Sequence, residues 1–181
     1  LISLVGFVVI KYKKETAAEA AAVYPLLPRK NELLKNAEWV FAKNNSDKLM
    51  AKIKANPKDI KSMIALANAY IAESRISGNT AYYDKAAMHM VNKVLELDEN
   101  NFEALTLRSL LFLSQHHFAE GLATAETAQK INPDNSFLYG LLVDGNVEMG
   151  NYQQALDAAD KMVSLRPDLR SYSRIAYLRE I

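Results

Sequence analysis

The sequence predicts an all-α fold of stacked helix hairpins, and three observations predict it. Six glycines and five prolines among 181 residues are few for an all-β sandwich, while Ala, Leu, Lys, Glu and Asn dominate. Half of the residues are apolar, enough for a packed core of medium size. The C-terminal two-thirds of the chain repeats itself at a step of 34 residues. With no cysteine, disulfides, thiolate zinc sites, iron–sulfur clusters and cysteine nucleophiles are excluded.

The net charge of +1 hides an asymmetry: residues 1–61 carry +6 and residues 62–181 carry −5. Leu1 to Ile10 is apolar apart from Ser3 and Gly6, and Lys11, Tyr12, Lys13 and Lys14 follow at once. A membrane-spanning helix needs about 20 apolar residues, so this stretch suits the end of a transmembrane anchor, a signal-peptide core or a buried helix. Basic and aromatic residues settle at bilayer headgroups, and a signal peptide ends in small residues, so residues 1–14 are expected to be an anchor remnant, on an unassigned side of the membrane. The chain would then be a fragment cut within a longer apolar segment. Residues 15–30 are expected to form a helical and Pro-containing connector, since Val23-Tyr24-Pro25-Leu26-Leu27-Pro28-Arg29 breaks helices twice.

Next comes an amphipathic helix pair, residues 31–56, with Leu33, Leu34, Ala37, Trp39 and Val40 in its first helix and Leu49, Met50 and Ile53 in its second. Asn44-Asn45 is expected to split them and Ser46 to cap the second; Asn44-Asn45-Ser46 is also a formal glycosylation acceptor. Lys43, Lys48, Lys52, Lys54, Lys58 and Lys61 form a basic run with few aromatic residues among them, and the rest of the chain is acidic, so a nucleic-acid partner is not expected. A solvated face next to an anionic bilayer accounts for the same lysines.

The repeat follows. Sliding by 34 residues aligns Ala87, Gly121 and Ala155, then Val91, Ala125 and Ala159, then Val94, Ala128 and Met162. Steps of three and four residues put each set on one helix face, and small side chains there let a neighbouring helix approach closely. Turns follow at Asp98 to Asn101, Asn132 to Asn135 and Arg166 to Asp168, where Pro or Asn ends one helix and Asp or Asn caps the next. Ahead of these helices run others, near Lys58–Ser77, Asn101–Gln115 and Asn135–Met149, and a last begins near Asp168. Ala67 and Ala87 lie 20 residues apart where Ser109 to Gly121 and Val143 to Ala155 span 12, so the first hairpin carries eight extra residues. They are expected between Arg75 and Tyr83, lengthening one helix and its turn, with Tyr82-Tyr83-Asp84 as a contact patch or as aromatic packing.

Met63, Leu66, Ala67 and Tyr70, with Tyr152, Ala155, Ala159, Met162 and Pro167, make this sequence resemble the tetratricopeptide-repeat family, from about Pro57 to Ile181. Arg108, Gly121 and Glu99 depart from its pattern. The resemblance implies a right-handed superhelical α-solenoid of antiparallel helix pairs: residues 57–101, 102–135 and 136–169 as repeats, and 170–181 as the first helix of a further repeat or a capping helix. It also implies a concave groove, lined by the first helix of each unit, that takes a peptide. Its places here fall on Lys61, Ile64, Asn68 and Ile71; on Glu103, Thr106, Leu110 and Leu113; on Phe137, Gly140, Asp144, Val147 and Glu148; and on Ser171, Arg174 and Leu178. The family's clamp for chaperone C-terminal carboxylates falls on Ile64, Asn68, Leu107, Phe137 and Leu141, of which only Asn68 fits, so that ligand is not expected.

Catalytic motifs are missing: no HExxH, GxSxG, P-loop or dinucleotide fingerprint occurs. The histidines are His89, His116 and His117. The adjacent pair, with Glu120, lacks the spacing of a zinc site, so neither a metal nor a cofactor is expected. What remains is a non-enzymatic scaffold that recruits a protein or peptide with apolar anchors while tethered to a membrane. The alternative is a regulatory or substrate-binding module of a larger enzyme or assembly factor.

Overall fold

A computed structural model describes residues 23–30 and 36–180, and among them it contains eight helices and no strand. They are α1 (Ala37–Ala55), α2 (Ile60–Ser77), α3 (Thr80–Leu97), α4 (Phe102–Ser114), α5 (Phe118–Ile131), α6 (Ser136–Glu148), α7 (Tyr152–Leu165) and α8 (Leu169–Glu180). Contacts divide the chain into two compact units, one ending at Lys48 and the other running from Leu49.

In the first unit, residues 23–30 are neither helix nor strand. Arg29 is almost wholly buried; its guanidinium lies 3.2 Å from Glu38 and 5.6 Å over the Trp39 ring, which offsets the cost of burying that charge. Asn36 accepts a hydrogen bond from the Glu38 backbone N–H and opens α1. Where the sequence predicts a break at Asn44-Asn45 and hence a helix pair, α1 runs without interruption to Ala55. Asparagine costs a helix only a few tenths of a kcal/mol to about 0.7 kcal/mol, far less than Gly or Pro, and the Lys43–Asp47 ion pair at 2.7 Å spans the site. Ser46 is therefore a buried mid-helix residue and not a cap.

Among the described residues no helix is long and apolar enough to cross a membrane, which corrects the expected membrane-anchored location. The apolar stretch at residues 1–14, from which that expectation came, lies outside the described residues.

The second unit is a run of hairpins, in which α2 packs on α3, α4 on α5 and α6 on α7, and each hairpin packs on the next. Caps set the starts. Asp59, Asn101 and Asn135 each accept the backbone N–H three residues on, at 3.0–3.1 Å, and Asp168 does the same for Ser171 at 3.0 Å. Each such cap is worth about 1 kcal/mol where the side chain is held. The 34-residue alignment becomes burial: Ala87, Gly121 and Ala155, like Val91, Ala125 and Ala159, are all inside, where a larger side chain would force the two helices of a hairpin apart. Ser109 crosses such a contact, donating its hydroxyl to the Gly121 carbonyl at 2.8 Å.

The first hairpin takes up its extra residues in its helices. Both α2 and α3 have 18 residues, against 13 or 14 in the later pairs, and they meet at Gly78-Asn79. The turn itself is short, contrary to the sequence expectation. Gly78 sits at φ +71°, a left-handed conformation that Gly adopts without strain. Tyr83 is a core residue that stacks on Tyr70 with centroids 6.2 Å apart, while Tyr82 and Asp84 stay partly exposed.

Candidate functional site

The first helices of successive hairpins adjoin, α2 beside α4 and α4 beside α6, and these helices carry most of the predicted groove positions. Its side chains divide into three kinds. Lys61, Asn68, Glu103, Phe137 and Glu148 are exposed. Ile71, Leu110, Leu113, Asp144, Val147 and Arg174 are partly buried, and Ile64, Thr106, Gly140, Ser171 and Leu178 are buried. The buried ones work for the fold. Thr106 donates its hydroxyl to the Phe102 carbonyl at 2.7 Å, Ser171 bonds to the Arg166 and Asp168 carbonyls at 2.9 Å, and Leu178 packs with Val143, Ala155 and Ala159.

Leu110 and Leu113 belong partly to the core around Leu105, Leu122 and Leu141. A Cβ placed on Gly121 would lie 2.8 Å from Leu113 Cγ and Cδ2, and one on Gly145 would lie 3.5 Å from that Cδ2. Two side-chain-free positions thus make the slot that holds Leu113. Phe137 is different: in the first turn of α6 it leaves 49 % of its surface in water, the costly condition for an aromatic ring that partners relieve.

Several of the predicted groove positions carry charge. Lys61 stands in the first turn of α2, where it and Lys52 both act on Asp59. The Asp59 carboxyl is held below its ordinary value, chiefly by the Ser62 hydroxyl and then by the Ser62 backbone N–H, with those lysines adding to the effect. Further along, α6 and α8 are joined by a bidentate pair, Arg174 Nε to Asp144 Oδ1 at 3.0 Å and Nη2 to Oδ2 at 2.8 Å. Hydrogen bonding to Asp144 raises the Arg174 pKa above its already high ordinary value, burial opposing it. The guanidinium lies over Gly140, whose absent Cβ would sit 3.7 Å from Arg174 Cζ. Both charges therefore already have partners, while Lys61, Glu103 and Glu148 face solvent.

The adjacent histidines fall in the turn between α4 and α5. His116 takes φ +62°, at the register where Gly150 takes φ +76° one repeat later. His117 Nδ1 is 3.7 Å from Glu120 Oε1, and both are exposed. His89 lies away from them in sequence, within α3. Among the described residues no group of three or more His, Cys, Asp or Glu side chains is placed to hold a metal ion.

A second concavity escaped the sequence reading. A cleft of about 340 Å³ opens between α5, α6 and α7, with Tyr139, Leu142 and Asn146 on its α6 wall. At 3.6 residues per turn these three stand on the face of α6 opposite Phe137, Asp144 and Glu148. The signal was available: Asn146 occupies the 34-residue register position of Phe112, so a small amide replaces a ring.

No protein-family model matches the sequence, and no curated protein does. Solved structures do. TTC0263, a thermophilic tetratricopeptide protein of Thermus thermophilus, superimposes with a TM-score of 0.68 at 16% identity, covering 80% of this chain and 76% of that one. MamA aligns with a TM-score of 0.64 at 18% identity, over 83% of this chain and 84% of its own. The first tetratricopeptide domain of Spaghetti (RPAP3), solved with the HSP90 peptide SRMEEVD, gives 0.58 at 15% identity, over 67% and 90%. The chain has the tetratricopeptide-repeat fold.

Proposed function

We propose that the chain is a protein-interaction scaffold whose concave groove holds an extended or helical partner segment by an apolar anchor, without catalysing a reaction. The observation that carries this reading is Phe137, a ring left half in water on α6, which packs beside α4 with its partly buried Leu110 and Leu113. A protein–protein contact gains most from such an aromatic anchor. A segment with apolar anchors, an acidic group toward Lys61 and basic groups toward Glu103 and Glu148 would match the exposed charges.

The HSP90 peptide held by the structural neighbour needs other chemistry. Ile64, Leu107 and Leu141 are apolar and buried at the places expected to hold a carboxylate, and Asn68 commits its amide to the Ile64 carbonyl at 3.0 Å. No neutral side chain there could replace a cation.

Affinity capture from the protein's own cells tests the proposal, comparing the parent with Phe137→Asp and with Tyr152→Asp, a control in α7 whose exposed ring lies off the groove positions. A partner lost with the first variant and kept with the second supports the groove; one retained by Phe137→Asp at parental yield refutes it.

A further inference from the structure

The cleft on the opposite face of α6 has the chemistry of a site for arginine. Its existence follows from two register changes. In the second repeat the corresponding positions hold Arg108 and Phe112, and the Arg108 guanidinium lies 5.3 Å over the Phe112 ring. Thirty-four residues later stand Leu142 and Asn146, which are shorter and carry no charge.

The carboxylates that line the open cleft are exposed and carry few bonds within the fold. Glu126 on its α5 side makes no hydrogen bond or ion pair among the described residues. Asp157 on its α7 side accepts only a bond from Gln153, at 3.0 Å. Lys161, the one basic lining residue, is engaged at 3.5 Å with Asp134. Tyr139 is buried, with 6% exposure; its hydroxyl accepts from Gln129 Nε2 at 3.3 Å, and among the described residues nothing accepts its own proton. Asn146 does not compete for a ligand, because its amide donates to the Leu142 carbonyl at 2.8 Å and accepts from Asn151 at 3.2 Å.

We propose that this cleft binds an arginine side chain carried by a partner polypeptide. The guanidinium donates to Glu126 and Asp157, the aliphatic stem lies on Leu142, and a carbonyl of the same segment accepts the Tyr139 proton. The site is independent of the groove, so a partner could engage either face of α6.

The probe is N-acetyl-arginine methylamide, titrated into the isotope-labelled full chain and followed through backbone amide resonances. Its neutral isostere, N-acetyl-citrulline methylamide, is titrated in parallel. Saturable shifts confined to α5, α6 and α7 with the arginine probe, at least about tenfold weaker with the citrulline probe, are expected from the loss of charge-assisted bonding. Glu126→Gln/Asp157→Asn should weaken the arginine probe by a similar factor while leaving the amide spectrum folded, and Asn146→Phe should fill the cleft and abolish the shifts. Phe137→Asp should leave them unchanged, which separates this site from the groove. Absent shifts, equal shifts with the citrulline probe, or undiminished binding by Glu126→Gln/Asp157→Asn would overturn the proposal.

Discussion

Replacing Gly121 by alanine tests the close approach of α4 and α5 on which the second hairpin depends. The new methyl would meet Leu113 Cγ and Cδ2 at 2.8 Å and the Leu113 backbone nitrogen at 3.3 Å. Carbon atoms rest at about 3.5–4.0 Å, so the side chain must withdraw by most of an ångström. It has little room, since its Cδ2 already faces Gly145, and the backbone nitrogen moves only with α4 itself. Overpacking of this kind costs about 1–3 kcal/mol, and alanine returns about 0.8–1 kcal/mol of helix propensity. The expected balance is a loss of about 0–2 kcal/mol by the same figures. Gly140→Ala is the control: its Cβ meets Arg174 and Met162 no closer than 3.7 Å, an ordinary contact, so the propensity term is left alone. That variant should gain about 0.5–1 kcal/mol. Urea unfolding at equal slope gives both numbers as shifts in midpoint. A Gly121→Ala protein more stable than the parent, or a Gly140→Ala protein less stable than Gly121→Ala, refutes the packing argument.

Four further outcomes follow from local geometry. Asn135→Ala removes the acceptor for the Leu138 N–H and should cost about 1 kcal/mol in the same unfolding assay. His116→Gly relieves a left-handed residue and should gain about 0.5–1 kcal/mol, a gain absent if the ring contact with Phe118 outweighs it. Asp59→Asn keeps a capping oxygen but loses the charge. Because the folded carboxyl titrates below its unfolded value of about 3.9, the parent's advantage should be full above that pH. It should disappear as pH falls through the lowered value, which thermal melts at a series of acid pH values read directly. Asp144→Asn breaks a pair whose members are 35% and 44% exposed, so solvent screening limits the loss to about 1 kcal/mol, less at high salt. Since the Arg174 pKa is raised above its already high ordinary value, the guanidinium stays charged in ordinary buffers, and melts between roughly pH 6 and pH 10 should show the same difference.

Where the sequence carries a period, the structure was readable from it. Small residues at Ala87, Gly121 and Ala155 require close helix neighbours wherever they occur, so the hairpins and their order follow from spacing alone. The unbroken helix through Asn44-Asn45 was not legible, because a propensity difference below about 1 kcal/mol yields to tertiary packing and ion pairing. Nor was the depth of the groove positions. The repeat pattern assigns these positions to a concave side without saying how deeply a neighbouring hairpin covers them, and so it puts Ile64, Thr106, Ser171 and Leu178 on a surface where they are in fact buried. The Asp144–Arg174 bond joins residues 30 apart, a separation that becomes a contact only when first helices stand side by side. The anchor expectation rests on residues 1–14 alone.

Helix α6 carries residues of both proposed binding surfaces. Every residue from Leu138 to Val143 is buried, so the helix has no single solvent face, and it touches α4, α5 and α7. A helix held on all sides must place its polar residues where neighbours diverge, and it does so at two points: Asp144 toward α8 and Asn146 toward the cleft. Glycine at 140 and 145 brings the partners near enough for each arrangement, Arg174 over the first and Leu122 with Leu113 against the second. Ligand binding on either face therefore acts on the same rigid rod. A partner that pulled Arg174 from Asp144 would loosen only the α6–α8 bridge, whereas one that entered the cleft would sit directly between α5 and α7. The two proposed faces should accordingly differ in kind: the groove would keep its Asp144–Arg174 pair and offer Phe137 with the exposed charges, whereas the cleft would offer carboxylates that carry few bonds of their own.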